Sequence, residues 1–229
     1  LAPDGLRLGL HALLAVEHGD RTVEDAERAR RSAVPAGERY DAALADLERL
    51  RRIADDPDTT VDDVPAALTG AGVAGVELMA GELWSRDCLE MILGFDHPDL
   101  GPDRLAALSP GGFAEYARPI GRSAAAAEKM IGLSPDRPDF ARTAYSVAYL
   151  SCLVPVVTER RRPAVLAMLA WMEWCRARNS FADHYAQQAL AGDPDYSLAA
   201  LVRAAIARGL PPRWMVRAGG EDRALRGGG

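Results

Sequence analysis

An all-α fold is predicted, and three observations predict it. Alanine and leucine dominate an apolar fraction of 48%, while aromatic residues make up 6% and β-branched residues are sparse. Alanine and leucine are the best helix formers, whereas strands favour Val, Ile, Thr and aromatics. Pro163 to Pro212 reads as three punctuated helices, and Val73 to Phe95 carries a long apolar run at helical period. Extended over the chain, these patterns predict an array of roughly nine to eleven helices.

The elements follow in order. Leu6, Leu10, Leu13 and Leu14 share a helical face before Gly19. Leu6, Leu8 and Leu10 also alternate as in a short strand, but the length favours helix. Thr22 caps a charged helix from Val23 to Ala33. Pro35 breaks the chain, and Ala36 to Ala54 forms a firmer helix through Tyr40, Leu44, Leu47, Leu50 and Ile53. Glu48 and Arg52 stand i,i+4 on its surface, a pair worth about 0.2–0.5 kcal/mol. Thr60 with Asp63 opens a short helix through Leu68. Thr69-Gly70-Ala71-Gly72 is the candidate hinge, and a soft boundary there divides residues 1–70 from 71–214.

Val73 to Phe95 is expected as one central buried helix, with Val76, Ala80, Leu83, Trp84, Cys88, Met91, Ile92 and Phe95 on its stripe. Gly75 and Gly81 weaken it by about 1 kcal/mol each unless they permit a close crossing. Asp103 to Leu108 is a short helix within a loop-rich segment, and Phe113 to Arg118 adds a turn. Ser123 caps a helix to Ile131. Asp139 caps another from Phe140 to about Val157, which Pro155 kinks or ends. Residues 215–229 form a glycine-rich tail.

The stretch after Pro163 is the most legible. Leu166, Leu169, Ala170 and Trp174 pattern its first helix. Asn179 suits a left-handed C-terminal position, and Ser180 with Asp183 makes a capping-box-like restart. Ala182, Tyr185, Ala186, Ala189 and Leu190 form the second face, and Gly192-Asp193-Pro194 ends it. Ser197 caps the third helix, whose stripe is Leu198, Leu201, Val202, Ala205 and Ile206.

Leu166, Leu169, Ala170, Ala182, Ala189 and Pro194 match the small/large spacing of a tetratricopeptide helix hairpin, which this stretch resembles. Ala170 stands where that repeat has glycine, and the late aromatic is displaced to Trp174. The chain from about residue 80 to 214 also looks like an actinobacterial family of domains of unknown function. Met168-Leu169-Ala170-Trp171, Ala186, Ala189-Leu190, Asp193-Pro194-Asp195-Tyr196, Leu198-Ala199, Leu201 and Gly209-Leu210-Pro211-Pro212 carry that likeness, with Trp84-Ser85-Arg86-Asp87 upstream. The resemblance implies a helical fold and an actinobacterial source, and brings no catalytic residues.

The net charge of −6 argues against a general nucleic-acid binder, whose affinity rests on neutralising many phosphates. Cys88, Cys152 and Cys175 are far apart and form no CxxC pair, so free thiols in a reducing cytoplasm are expected. No uncharged apolar run reaches the roughly 18 residues of a membrane span, and no membrane partner is expected. Asp96, His97 and Asp99 are the most metal-like cluster, but His-Pro-Asp in a proline-rich loop is ordinary turn chemistry. His11, His18 and His184 stand alone. No glycine-rich segment has phosphate-loop spacing, and no cofactor is expected.

These readings favour a non-enzymatic scaffold that binds a protein or peptide, with self-association as a further option. Trp171 and Trp174 are three apart on one helix, and Trp, Tyr and Arg are over-represented at interface anchors. Arg176 is their polar companion. Arg160, Arg161 and Arg162 form an uninterrupted cationic run, read as lying near a helix C-terminus where the dipole favours them. Two alternatives stand: a ligand-binding or enzymatic helical domain with an inter-helix pocket, using residues such as Arg86, Asp87, Glu90 and His97, and a DNA-associated regulator with an arginine patch.

Overall fold

The computed structural model describes residues 34–216. These residues form ten α-helices and one 3-10 segment, followed by a helical stretch at 213–216, with no strand among them. The helices expected before residue 34 and the tail from 217 lie outside the described residues.

The first helix, α1, runs Ala36–Asp55. The 3-10 segment Val61–Ala67 follows, opened by the expected Thr60–Asp63 capping box. α2 is Gly70–Met79, α3 is Leu83–Gly94 and α4 is Pro102–Ala106. α5 is Phe113–Gly121 and α6 is Ala124–Met130. α7 is Phe140–Leu153, α8 is Arg162–Cys175, α9 is Asn179–Gly192 and α10 is Ser197–Ala207. Ser123 and Asp139 cap α6 and α7 as expected.

The most enclosed element is α8, in which every residue from Pro163 to Cys175 is buried. A helix apolar on all sides belongs in the interior. α9 presents Ala182, Ala186 and Ala189 inward, and α8, α9 and α10 pack in succession with α10 returning to α8. Small residues let those helices approach closely.

Val73–Phe95 is not one helix. α2 ends at Met79 and α3 starts at Leu83, because Glu82 is extended at φ −128° and ψ 140°. The Ser85 hydroxyl donates to the Met79 carbonyl at 2.7 Å, satisfying a group the broken helix leaves open. Periodicity misled because both halves are largely buried in the same core.

The expected hinge at Thr69–Gly72 is a pinned helix start. Thr69 caps α2, and buried Asp46 of α1 accepts from the Thr69 backbone N–H at 2.8 Å and its hydroxyl at 2.9 Å. One hydrophobic core runs from Tyr40 to Trp214. Across residue 70, α1 packs directly on α2.

The left-handed residue after α8 is Ala177, at φ 59°, rather than Asn179. The Arg178 N–H bonds the Glu173 carbonyl at 2.9 Å and the Ala177 N–H bonds that of Trp174 at 3.0 Å, a Schellman pattern. Asn179 is already helical, and neither α9 nor α10 has a side-chain cap, so Ser180 and Ser197 do not cap them. An L-residue at this φ costs about 1 kcal/mol. Ala177→Gly is expected to stabilise the fold by about 0.5–1 kcal/mol, read as a higher urea midpoint with an unchanged m-value.

Candidate functional site

α1, the C-terminal end of α3, α4 and the N-terminal half of α7 enclose a cleft of about 400 Å³. That volume lies within the range of small-molecule sites. Its floor is built from apolar side chains of three separate helices. Leu44, Leu47 and Leu50 come from α1, Ile92 and Phe95 from the end of α3, and Leu105 from α4. The Ser146 hydroxyl of α7 donates to the Leu93 carbonyl at 2.8 Å, locking the back wall. Phe95 is extended and ends α3. The following turn, closed by the Leu100 N–H on the His97 carbonyl at 3.1 Å, brings Pro102 round to start α4 over the cleft.

Charges ring the mouth, and most pair with each other. Arg142 donates to Asp96 at 2.6 Å. Arg51 pairs with Glu48 at 3.2 Å and Asp55 at 3.0 Å, and Arg52 pairs with Glu48 at 3.1 Å. Burial would raise the Glu48 carboxyl, but hydrogen bonds from Arg51 and Arg52 overrule it and hold it below its ordinary value. Asp41 accepts the Gly111 N–H at 2.9 Å. The cleft therefore offers an apolar floor under a largely self-neutralised rim, and no histidine or cysteine lines it.

The polar residues expected for an inter-helix pocket assemble elsewhere. Arg86 holds Asp87 at 2.6 Å, stands 3.9 Å from Glu90 and reaches the Tyr196 hydroxyl at 3.5 Å. Glu90 is wholly buried, and neither of its oxygens has a hydrogen-bond partner. Burial pushes its carboxyl well above the ordinary range, against the pull of Arg86. Asp87 is raised by burial too. Burial, with Asp87 beside it, pushes the Cys88 thiol up to about 12, so it is no nucleophile at neutral pH.

His97 does not join that cluster. Its Nδ1 accepts the Asp99 N–H at 3.2 Å, while Asp96 faces Arg142, so the Asp96–His97–Asp99 segment serves turn chemistry. Among the described residues no three His, Cys, Asp or Glu side chains gather in a metal-holding group. No described helix is long and apolar enough to cross a membrane.

The residues expected to contact a partner are dispersed. Trp171 is 0% exposed and donates to the Met130 carbonyl at 2.8 Å; Trp174 is 3% exposed and donates to the Leu210 carbonyl at 3.3 Å. Both are buried in the core with satisfied N–H groups. Arg176 stands 3.6 Å from buried Glu173 at the C-terminal end of α8. Arg160, Arg161 and Arg162 stand at its N-terminal end, about 20 Å away by helix rise. The two groups do not converge on one surface. Arg142 and Ser146 of the cleft carry no local sequence signal, and Asp96 signalled only a loop cluster, because the site is assembled from four separate elements.

Compared with protein-family models, with curated proteins and with solved structures, the chain finds no match.

Proposed function

We propose that the protein binds an uncharged, largely apolar small molecule in the cleft between α1, α3, α4 and α7. The observation that carries this reading is the 400 Å³ apolar cleft with its internally paired rim. An anionic ligand would have to break an existing ion pair to reach Arg51, Arg52 or Arg142, whereas an apolar one gains about 25 cal/mol per Å² of surface removed from water. The scaffold reading is weaker, since its two tryptophan anchors are internal. The tetratricopeptide-like hairpin of α8 and α9 serves, in this reading, as the rigid support behind the cleft. The free thiols fit a reducing, cytoplasmic setting. The likeness to the actinobacterial family supports the helical architecture and adds no reaction.

The test is titration with N-phenyl-1-naphthylamine, a neutral apolar fluorophore. Saturable binding is expected, and Leu44→Trp, which fills the cleft from α1, should weaken it about tenfold or more, equal to about 1.4 kcal/mol. Arg208→Gln, at the exposed end of α10, should leave it unchanged. Equal binding to the wild type and to a folded Leu44→Trp variant would sink the reading.

A further inference from the structure

The arginine triplet before α8 is not explained by local helix electrostatics. α7 ends at Leu153, and Arg161 flanks the first residue of α8. The triplet therefore stands at a helix N-terminus, which carries partial positive charge and disfavours cations. That corrects the expected C-terminal placement and leaves the charges in need of another reason.

α2 supplies a platform for them. Arg39 reaches it from α1, donating from Nε and Nη2 to the Ala74 carbonyl at 3.3 and 2.8 Å. Arg161 lies over Gly81, where a Cβ would stand 2.5 Å from its Nη2. Positions 74, 77 and 81 fall on one side of α2 and its closing turn. Glu77, between the two anchor points, accepts the Thr158 backbone N–H and draws the α7–α8 connection onto α2. Arg161 lies within electrostatic reach of Arg160, Glu77, Tyr196 and Arg39. Burial first, and Arg160 next, hold its guanidinium below the ordinary value, yet a guanidinium stays charged at neutral pH.

Among the described residues, Arg39, Arg160 and Arg161 have no ion-pair partner, whereas the arginines of the cleft and of α3 are paired. Arg161 thus lies near Glu77 with Arg39 and Arg160 around it, a gathering of unpaired guanidiniums in a chain whose net charge is −6. We propose that Arg39 and Arg161, anchored on one side of α2, and the exposed Arg160 next to them bind a phosphate group. A phosphate anion supplies the counter-charge the unpaired guanidiniums lack, and planar guanidinium forks match its oxygens. Gly81 is glycine because the Arg161 guanidinium crosses the chain there at close range.

The test is calorimetric titration at constant ionic strength with inorganic phosphate and, separately, phenyl phosphate. Saturable one-to-one binding with Kd of about 1 mM or tighter is expected. Tighter binding of phenyl phosphate assigns the site to a phosphate monoester, and tighter binding of inorganic phosphate to the free ion. Arg161→Gln should weaken binding about tenfold, one charge-assisted contact. Gly81→Ala keeps every charge and adds a methyl against the guanidinium, so a loss of about fivefold reports geometry rather than net charge. Melting curves confirm that both variants are folded. The proposal fails if no saturation occurs by about 20 mM, a concentration far above the expected Kd. It fails equally if the distant Arg208→Gln weakens binding as much as Arg161→Gln does.

Discussion

Gly75→Ala should destabilise the protein by at least about 2–3 kcal/mol, although the same exchange in an ordinary helix interior gains about 1 kcal/mol. The reversal follows from the α1–α2 crossing. A Cβ on Gly75 would overlap the Arg39 carbonyl oxygen and stand 2.7 Å from the Ala43 Cβ. The obstructing oxygen is backbone, so no rotamer change relieves it. The two helices must separate, and Leu47, Leu50, Val73 and Val76, all buried near this crossing, lose close packing with them. Gly70→Ala is the matched control, because a Cβ there meets nothing within 4 Å. It should be neutral or stabilising by up to about 1 kcal/mol. Urea unfolding of both variants by circular dichroism reads the difference. Equal effects at the two positions would mean that the crossing is looser than the geometry requires.

Gly75 also shows what the sequence conveys and what it withholds. A glycine inside an apolar helical run is legible as either a weak point or a close crossing, but the partner that decides between them is 36 residues away in the chain. Capping was legible where the cap is local: Thr60, Ser123 and Asp139 accept from their own first turns. It failed at Asn179, where the Schellman bonds of Ala177 and Arg178 close one residue pair earlier. Left-handed preference is weak evidence against hydrogen bonds fixed by where α8 ends. The all-α class was legible because composition and helical period agree along the chain.

The candidate cleft was less legible for a related reason. Leu44 and Ile92 read correctly as apolar stripe residues, but whether a stripe residue faces a neighbour or a void depends on how four elements meet. The tryptophans were open to two readings, core or interface anchor. Trp171 and Trp174 carry the composition of an interface anchor, yet the carbonyls of Met130 and Leu210 satisfy their N–H groups inside the core. A buried indole needs such a partner as much as an interfacial one does, so residue type alone cannot separate the two.

Glu90→Gln should stabilise the protein increasingly as pH rises, and this is the second large effect expected. Glu90 is 0% exposed, both its oxygens lack partners, and the nearest cation, Arg86, is held more closely by Asp87. Buried Cys175, across the core on α8, also lies in the field of the Glu90 carboxyl and offers no compensating charge. Burial therefore raises the folded-state pKa above that of the unfolded chain. The sign follows: the folded state holds a proton that the unfolded state releases. The stability associated with Glu90 is fully present below the ordinary carboxylate range and is lost as pH rises toward the folded pKa. Within that window the loss runs at about 1.4 kcal/mol per pH unit. Glutamine mimics the protonated acid and does not titrate, so the stability difference between variant and wild type should grow with pH from about 5 upward. Glu48 and Asp136, whose folded pKa values are lowered, weaken the fold as pH falls. Both are present in either protein and cancel in the difference. Urea midpoints at several pH values, with the m-value held as a check, make the measurement. A difference that does not change with pH would show that Glu90 is already ionised in the fold. Arg86 would then be shared between Asp87 and Glu90 as an ionised triad, and Glu90→Gln would be destabilising at every pH, as removal of one member of a buried charge network is.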